Sequence, residues 1–248
     1  GIPDYRNERG EWKRSPPVTL QAFMGDAATR QRYWARSMLG WPCFGHAVPN
    51  VTHRALAALE RSGRVALLLT QNVDGLHQRA GSRHVIDLHG RLDVVRCMAC
   101  ERRTPRHALQ RSFEQLNPQW LGIDASPAPD GDVDVDGAFA DFTVPGCARC
   151  AGVLKPDVVF FGENVPRQRV DTAMDQLAHA DAMLVVGSSL MVYSGFRFAR
   201  AAAQLGIPIA ALNRGVTRAD ELLTLKSDRA CADALAYLLD ADGVAVTA

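Results

Sequence analysis

The chain has 248 residues, with 28 basic and 27 acidic side chains and a formal net charge of +1. This balance gives no reason to expect a nucleic acid or a membrane surface as the main partner. No apolar run approaches the roughly 18–20 residues that a membrane helix needs, and the length favours one large domain or one domain with a small satellite.

Helices and apolar strands alternate along much of the chain. Residues 15–40 predict helical pieces with aromatic side chains on one side, broken at Gly25 and Gly40. Further helices are predicted at 53–63, 169–181, 195–206 and 231–240. Buried strands are predicted where apolar runs turn abruptly polar, at 65–69, 182–190 and 207–215, with weaker examples at 84–90 and 155–164.

Uninterrupted apolar strands that alternate with helices are typical of a buried parallel sheet. Polar clusters follow these strands: TQNVD at 70–74, GSS at 187–189 and NRG at 213–215. In an open α/β sheet the ligand binds at the carboxyl ends of the strands, near a topological switch point. The sequence therefore predicts an α/β fold with a Rossmann-like, doubly wound parallel sheet and a site assembled from these clusters.

Residues 97–150 interrupt this alternation and predict a small module, inserted between parts 1–96 and 151–248 of the α/β domain. Two Cys-x-x-Cys pairs bound the module: Cys97 with Cys100, and Cys147 with Cys150. Four thiolates at this spacing satisfy the tetrahedral demand of Zn²⁺ and leave no open ligand position, so the zinc would be structural. A redox pair or two disulfides are the alternatives, but neither explains why two such pairs bracket one insert.

The acidic stretch Asp132–Gly137 matches the start of a calcium-binding loop, Asp-x-Asp-x-Asp-Gly. Such a loop needs a glutamate at its twelfth position, where this chain has Thr143. We interpret the stretch as a solvated acidic loop.

The polar residues after the strands each allow two interpretations. Gln71, Asn72 and Asp74 are suited either to cap the following helix or to bind a ligand. His89, between apolar residues, is either a satisfied buried group or a base. The VVGSSL turn (185–190) lets backbone N–H groups approach a phosphate, but it also occurs as an ordinary strand-to-helix turn. The chain contains neither a G-x-G-x-x-G motif nor a P-loop, which disfavours a standard dehydrogenase or kinase.

Taken together, these motifs resemble, in order and approximate spacing, the sirtuins, which are NAD-dependent protein deacylases. The motifs are GIPDYR (1–6), TQNVDGLH (70–77), LHG (88–90), the two cysteine pairs, KPDVVFFGE (155–163) and VVGSSL (185–190). The insert and GSSLMVYSG (187–195) look most like the class II branch, which includes a mitochondrial human member. The resemblance covers essentially the whole chain. It implies a cytoplasmic protein if the source is bacterial, and a mitochondrial matrix protein if it is eukaryotic.

The resemblance implies a role for each motif. His89 would be the general base that takes a proton from a ribose hydroxyl of NAD, with Asn72 and Asp74 beside it in the catalytic set. The cofactor-binding residues would be Pro3, Asp4, Tyr5, Arg6, Gln71, Asn72, Val73, Asp74, Gly187, Ser188, Ser189, Asn213, Arg214, Gly215 and Cys231. The acyl-lysine peptide would add to a strand formed by Val159, Phe160, Phe161, Gly162 and Glu163.

The implied reaction transfers the acyl group of a modified lysine to the ADP-ribose part of NAD, and releases nicotinamide, free lysine and O-acyl-ADP-ribose. A protein mono-ADP-ribosyltransferase is one alternative, and a catalytically impaired module that binds NAD or a peptide is another. We expect NAD as co-substrate, one structural zinc and acyl-lysine proteins as partners. We expect no direct contact with nucleic acid or membrane, and a monomer.

The first six residues resemble the second half of a longer sirtuin motif. Its first half is an apolar strand and a Gly-Ala-Gly-x-Ser turn that cradles the NAD phosphates. In a doubly wound sheet that strand would lie in the centre, and its loss would leave two edges unpaired inside the protein. Because each unsatisfied buried group costs about 1–3 kcal/mol, we expect the natural chain to begin further upstream.

Overall fold

A computed structural model describes residues 17–123, 126–127, 133–134 and 139–239. The α-helices are α1 (Leu20–Gly25), α2 (Ala27–Gly45), α3 (Val51–Arg61), α4 (Leu76–Arg79), α5 (Arg106–Leu116), α6 (Arg167–Ala178), α7 (Tyr193–Gln204) and α8 (Cys231–Leu235). The strands are β1 (Leu68–Thr70), β2 (Val85–Asp87), β3 (Gly90–Cys97), β4 (Arg103–Pro105), β5 (Ser126–Pro127), β6 (Val133–Asp134), β7 (Leu154–Val158), β8 (Met183–Val186), β9 (Ile209–Leu212) and β10 (Leu225–Ser227). Short 3₁₀ turns lie at Pro118–Trp120, Asp220–Leu222 and Ala236–Leu238.

Parallel strands joined by helices confirm the predicted Rossmann-like α/β class. β1 pairs with β2, and β9 lies between β8 and β10, with every pairing parallel. A doubly wound sheet is one continuous layer, whereas the parallel strands of the described residues form two separate sheets. Within those residues, β1 and β8 each have a strand neighbour on one side only.

Helix α7 is held against β8 and β9 by small residues. Ala199 and Ala202 on the helix are fully buried and pack with Val185 of β8 and Ala211 of β9. Small side chains allow the helix to approach the sheet closely. This packing places the first turn of α7 beside the carboxyl end of β8, where the sequence predicts the site.

A separate, antiparallel sheet of three strands ends next to the cysteine pairs, with Cys97 as the last residue of β3. β3 lies in its centre between β4 and β7. An aromatic core beneath it joins the module to the first helices, and its buried members include Phe23, Tyr33, Trp34, Phe113, Phe142 and Phe160. The sheet begins at Gly90 and ends at Val158, so its strands extend beyond 97–150 on both sides. The proposed domain boundaries stay a prediction.

The helix predicted at 53–63 is confirmed but begins and ends two residues earlier, as α3. Asn50 caps α3, its Oδ1 atom accepting from the backbone N–H of His53 at 3.2 Å. The predicted break at Gly40 is wrong, because α2 continues through it and through Pro42 to Gly45. Trp34 and Met38 of α2 are buried, so tertiary packing outweighs the low helix propensity of glycine and proline.

The run at 155–164 was predicted as a weak strand of the parallel type, and this is wrong, because β7 pairs antiparallel with β3. Of the acidic stretch 132–137, only Val133 and Asp134 lie within the described residues, where they pair with β5. The interpretation of that stretch as a solvated loop stays a prediction. None of the described helices is both long and apolar enough to cross a membrane.

Candidate active site

Polar residues from the ends of two strands meet at one edge of the α/β part. Gln71 directly follows β1, and its side-chain Oε1 atom accepts a hydrogen bond from Ser188 Oγ at 3.2 Å. Ser188 is the second residue after β8. The main-chain oxygen of Gln71 lies 3.1 Å from Nδ1 of His89. The structure thus brings together three predicted site residues from distant parts of the chain.

His89 is held as a neutral imidazole with one defined tautomer. Its Nδ1 atom faces a carbonyl oxygen, which only accepts, so we assign the proton to Nδ1 and make Nε2 the accepting atom. The hydroxyl of Ser194 then donates to Nε2, at an Oγ to Nε2 distance of 2.7 Å. Burial lowers the pKa of His89, and the nearby Arg169 and Arg197 lower it further, against the raising effect of the Gln71 carbonyl. A half-buried, neutral histidine of this kind is suited to accept a proton at Nε2.

The sequence left two roles open for the residues of the turn after β1: helix capping and ligand binding. The turn contains residues suited to each role. Asp74 caps the start of α4, since its Oδ1 atom accepts from the backbone N–H of Leu76 at 2.8 Å. The backbone N–H of Asn72 donates to Thr70 Oγ1 at 3.1 Å, whereas its exposed side-chain amide has no hydrogen bond to any described residue. The main-chain oxygen of Val73 accepts from Leu92 N at 2.9 Å. Asp74 therefore shapes the turn, and Asn72 presents an amide at its surface.

A second group of predicted cofactor residues forms around the end of β9. Gly187 has a φ of 60°, and its N–H donates to Leu212 O at 2.8 Å. The same carbonyl accepts from the thiol of Cys231 at 3.3 Å. The side chain of Asn213 is buried and donates to Arg214 O at 2.9 Å. The ends of β8 and β9 and the start of α8 thus lie together.

The remaining predicted cofactor residues lie at the rim of this edge or outside the described residues. The main-chain oxygen of Ser189 accepts from Arg218 N at 2.8 Å. Arg214 is exposed, and Gly215 has a φ of 78°. Pro3, Asp4, Tyr5 and Arg6 lie outside the described residues, so their role stays a prediction.

The donor set along this edge fits a phosphate-containing dinucleotide such as NAD. Gly187 has no side chain and adopts a left-handed conformation, so the backbone can approach a ligand closely. Ser188 and Ser189 add hydroxyl groups, Asn72 adds an exposed amide, and Arg214 adds an exposed guanidinium. Neutral and cationic donors at the carboxyl ends of parallel strands suit an anionic nucleotide.

The segment Val159–Glu163 continues directly from the neighbourhood of His89. The backbone N–H of Val159 donates to His89 O at 2.7 Å. The segment is not a strand, contrary to the prediction, and makes only an isolated bridge between Phe161 and Thr19. Phe160 enters the aromatic core, whereas Phe161 is 39% exposed. Because alternate side chains point to the core and to solvent, the segment presents its backbone and one aromatic ring at the surface.

A buried ion pair fixes this segment, and the sequence did not indicate it. Lys155 is 2% exposed, and its Nζ atom lies 2.9 Å from Glu163 Oε2. The same carboxylate oxygen accepts from the backbone N–H of Phe160 at 2.9 Å. Nζ also donates to Val158 O at 2.5 Å. Lys155 and Glu163 therefore close the segment into one defined loop, in which Gly162 has a φ of 77°.

The four predicted metal ligands form one cluster. Their sulfur atoms all lie within 4.8 Å of one another, with 3.5 Å between Cys97 and Cys150 and 3.8 Å between Cys100 and Cys147. A tetrahedron of sulfurs at the usual zinc–sulfur distance of about 2.3 Å has edges of roughly 3.8 Å. All four cysteines are free thiols, so the disulfide alternative is wrong. The cluster fits a structural zinc ion.

Two local features favour ligation of that ion. The pKa of the Cys97 thiol is lowered to about 6, first of all by the backbone N–H of Cys100, which favours the thiolate. At Gly152, an added Cβ would lie 2.7 Å from the Cβ of Ala99 and 3.0 Å from the sulfur of Cys97. Only glycine allows the chain to pass this close to the cluster.

Ser194 and the two arginines near His89 are site residues that the sequence reasoning missed. Ser194 lies within the GSSLMVYSG stretch, but its contact with His89 joins residues 105 positions apart. Gly195 follows it, and an added Cβ there would come 2.4 Å from Gln71 Oε1. Glycine beside the serine was the available sequence signal, since it marks a close approach.

Comparisons with known proteins agree with this geometry. The Sir2 family profile matches residues 1–194. An NAD-dependent protein deacetylase of Xanthomonas campestris pv. campestris (strain 8004) is 67% identical over 239 residues, which are 96% of this chain and 82% of that protein. One from Bordetella bronchiseptica is 61% identical over 240 residues, which are 96% of this chain and 88% of that protein.

Solved structures agree as well. One described as "Sir2-p53 peptide-NAD+" superposes with a TM-score of 0.77 at 28% identity, covering 98% of this chain and 87% of that chain. Another, "Sir2 bound to acetylated peptide", gives a TM-score of 0.73 at 27% identity, covering 92% of this chain and 83% of that chain. The chain belongs to the Sir2 family, the sirtuins.

Proposed function

We propose that this protein is an NAD-dependent protein-lysine deacetylase, which forms nicotinamide, free lysine and O-acetyl-ADP-ribose. The observation that carries the proposal is the state of His89: Nδ1 donates to Gln71 O, and Nε2 is left as the accepting atom. This base lies where the ends of β1 and β8 meet. Relatives at 60–67% identity are deacetylases by name, and this supports the same activity here.

The residues that would hold NAD are those gathered at the ends of β1, β8 and β9. Gln71, Asn72, Ser188 and Arg214 supply polar side chains, and Gly187 gives backbone access. When bound, NAD supplies the ADP-ribose that accepts the acetyl group. Asp74 acts through the turn that it caps. Cys231 and Asn213 fix the edge itself, because their hydrogen bonds go to main-chain oxygens of β9 and of the residue after Asn213.

His89 has one task in this reaction. It accepts a proton at Nε2 from a ribose hydroxyl, after that hydroxyl has replaced the hydroxyl of Ser194 as its donor. The lowered pKa keeps the imidazole neutral near pH 7, so it is ready to act as a base. The acetyl-lysine peptide would lie along Val159–Glu163, which the backbone bond from Val159 N to His89 O ties to the base. The site must exclude water, because water would otherwise compete with the acetyl-lysine for reaction with NAD.

Product analysis tests the proposal. The full-length protein is incubated with labelled NAD and acetyl-lysine peptides, and the products are identified by mass spectrometry. We expect O-acetyl-ADP-ribose from the wild type and from His107→Phe, a change of an exposed histidine on α5. We expect a loss of at least about 100-fold in His89→Phe, the scale of removing a general base.

Other outcomes would assign a different function. Label retained on protein would show a mono-ADP-ribosyltransferase. A His89→Phe variant with full activity would remove His89 from the mechanism, and binding of NAD and peptide without turnover would show a binding module.

We infer a cytoplasmic location and a monomeric state for this enzyme. The deacetylases that it resembles come from bacteria such as Xanthomonas and Bordetella, which supports the location. Fractionation of cells with an antibody against the protein tests the location, and light scattering of the purified protein tests the monomer.

A further inference from the structure

Three arginine side chains surround one exposed tyrosine at the start of α7. Their Cζ atoms lie near the ring centroid of Tyr193, at 5.3 Å for Arg197, 5.3 Å for Arg200 and 5.8 Å for Arg218. Tyr193 is 43% exposed, and its hydroxyl accepts from Arg200 at 2.6 Å. We call Arg197, Arg200 and Arg218 the arginine cluster.

The arginine cluster forms no ion pair within the described part of the chain, although Asp220 and Glu221 lie in the short turn that packs against α7. None of its members forms an ion pair with a described carboxylate, whereas Arg91, Arg96, Arg103 and Arg167 each do. Helix α7 itself contains no acidic residue. In addition, the Nε atom of Arg197 is buried and has no hydrogen-bond partner. Guanidinium groups held near one another repel unless an anion lies between them, so within the described residues the cluster is suited to take up an anionic partner.

Contacts with the main chain fix one member of the cluster, Arg218, in place. Arg218 donates from its side chain to Met191 O at 3.1 Å and from its backbone to Ser189 O at 2.8 Å. It also stacks on Phe196, with its Cζ atom 4.6 Å from the ring centroid. These contacts attach Arg218 to the loop between β8 and α7; Arg200 and Arg218 are exposed, and Arg197 is half-buried.

The arginine cluster lies beside His89. Tyr193, at its centre, precedes Ser194, whose hydroxyl contacts His89 Nε2 at 2.7 Å. The charge of Arg197 acts on His89 directly, since it helps to lower the pKa of that histidine. The backbone N–H of Val159, in the segment proposed to bind the peptide, donates to the main-chain oxygen of the same histidine. A peptide whose modified lysine reaches His89 must therefore pass close to the cluster.

We propose that the arginine cluster binds aspartate or glutamate side chains of the substrate protein that flank the modified lysine. This inference rests on the proposed deacetylase function and names the substrate class of the same site. A guanidinium group can donate two parallel hydrogen bonds to one carboxylate, and Tyr193 holds the three guanidinium groups in a shared orientation. Three cations that form no ion pair with a described carboxylate favour acidic over basic sequences by charge complementarity.

Peptides with one acetyl-lysine in an acidic, a neutral or a basic context test the proposal. The acidic peptide should show a kcat/KM about fivefold higher than the neutral one, and the basic peptide a lower value, as expected for exposed ion pairs. Fluorescence anisotropy of the same labelled peptides without NAD should give the same order of affinity. The preference should fall as salt rises from about 50 mM to about 0.5 M.

Substitutions of Arg200 test whether the arginine cluster causes the preference for acidic peptides. Arg200→Gln should lower the ratio of acidic to neutral kcat/KM to about twofold, Arg200→Lys should keep most of it, and Arg200→Glu should bring it to about one or below. Arg111→Gln and Arg111→Glu on α5 are the matched controls, because Arg111 is exposed and lies on a different helix. These controls should keep the wild-type ratio.

Any other result with these peptides and variants contradicts the inference, and each result shows which part of it is wrong. Equal turnover of all three peptides contradicts it while the deacetylase function stands, whereas no turnover of any acetylated peptide contradicts the function itself. An acidic preference that survives Arg200→Glu places the selectivity elsewhere. A preference for succinyl-lysine in a neutral peptide, lost in Arg200→Gln, would assign the arginines to the acyl group instead.

Discussion

The Nε2 atom of His89 lies 2.7 Å from the Oγ atom of Ser194, in the first turn of α7. Because Nδ1 is committed to Gln71 O, the serine hydroxyl must be the donor to Nε2. Ser194 therefore favours the neutral imidazole and occupies the place from which a substrate hydroxyl would donate its proton. This makes Ser194 a positioning residue for the proposed base.

We expect Ser194→Ala to lower kcat/KM about fivefold, the scale of one hydrogen bond. The pH profile separates this role from a structural one. In the wild type, kcat/KM should rise through a pKa below 6.5 and level off above it, since burial lowers the pKa of His89. Loss of a donor to the neutral form should move this rise to higher pH. Ser194→Thr keeps a hydroxyl and should keep the wild-type profile; an unchanged profile in Ser194→Ala would contradict the role.

Removing a zinc ligand should unfold the module between the cysteine pairs. The purified protein should contain one zinc ion per chain, as the single four-sulfur cluster implies. Cys100→Ser should lose the metal and lower the thermal midpoint, because metal binding supplies folding free energy. Gly152→Ala should weaken zinc binding through its clash with Cys97. Cys43→Ser is the control, since Cys43 is exposed and lies outside the cluster; metal analysis and circular dichroism give the readouts.

The ion pair between Lys155 and Glu163 should be essential for the substrate segment. Lys155→Met leaves the partly exposed Glu163 carboxylate without its buried partner and should lower the free energy of unfolding by about 1–3 kcal/mol. The double variant Lys155→Met with Glu163→Gln should recover part of this loss, because it removes the uncompensated charge. Both variants should raise the KM for the peptide, since Glu163 also orders Phe160. Equal stability of the single and double variants in urea would contradict this account.

The paired histidines His53 and His77 should make the protein sensitive to acid. Their ring centroids lie 4.7 Å apart with the planes tilted by 52°, and burial, followed by the charge of His53, lowers the pKa of His77 to about 4. Between about pH 6.5 and 4 the unfolded state binds a proton that the folded state excludes, so stability falls as the pH falls. The slope from this group is at most about 1.4 kcal/mol per pH unit.

Urea unfolding at several pH values measures this slope. His77→Phe should flatten it, whereas His107→Phe, which changes an exposed histidine on α5, should not. A slope that is the same in His77→Phe and in the wild type would show that another group is responsible.

Local signals predicted much of this fold correctly. The helix at 53–63 was found from its amphipathic pattern and appears as α3, the apolar run at 65–69 overlaps β1, and the run at 207–215 contains β9. The expected break at Gly40 and the strand at Val159–Glu163 were wrong for a shared reason. In both places tertiary contacts of particular side chains, Trp34 in the core and Glu163 with Lys155, outweigh local preference.

The sequence by itself determined the α/β class, and it predicted the four cysteines as metal ligands and the edge at which the site forms. Those features depend on periodicity and on spacing within short segments, which the chain carries locally. The tertiary structure alone decided the tautomer of His89, its contact with Ser194 and the clustering of Arg197, Arg200 and Arg218. These relationships exist only because buried alanines let α7 pack on β8 and β9, which brings its first turn against a histidine 105 residues away.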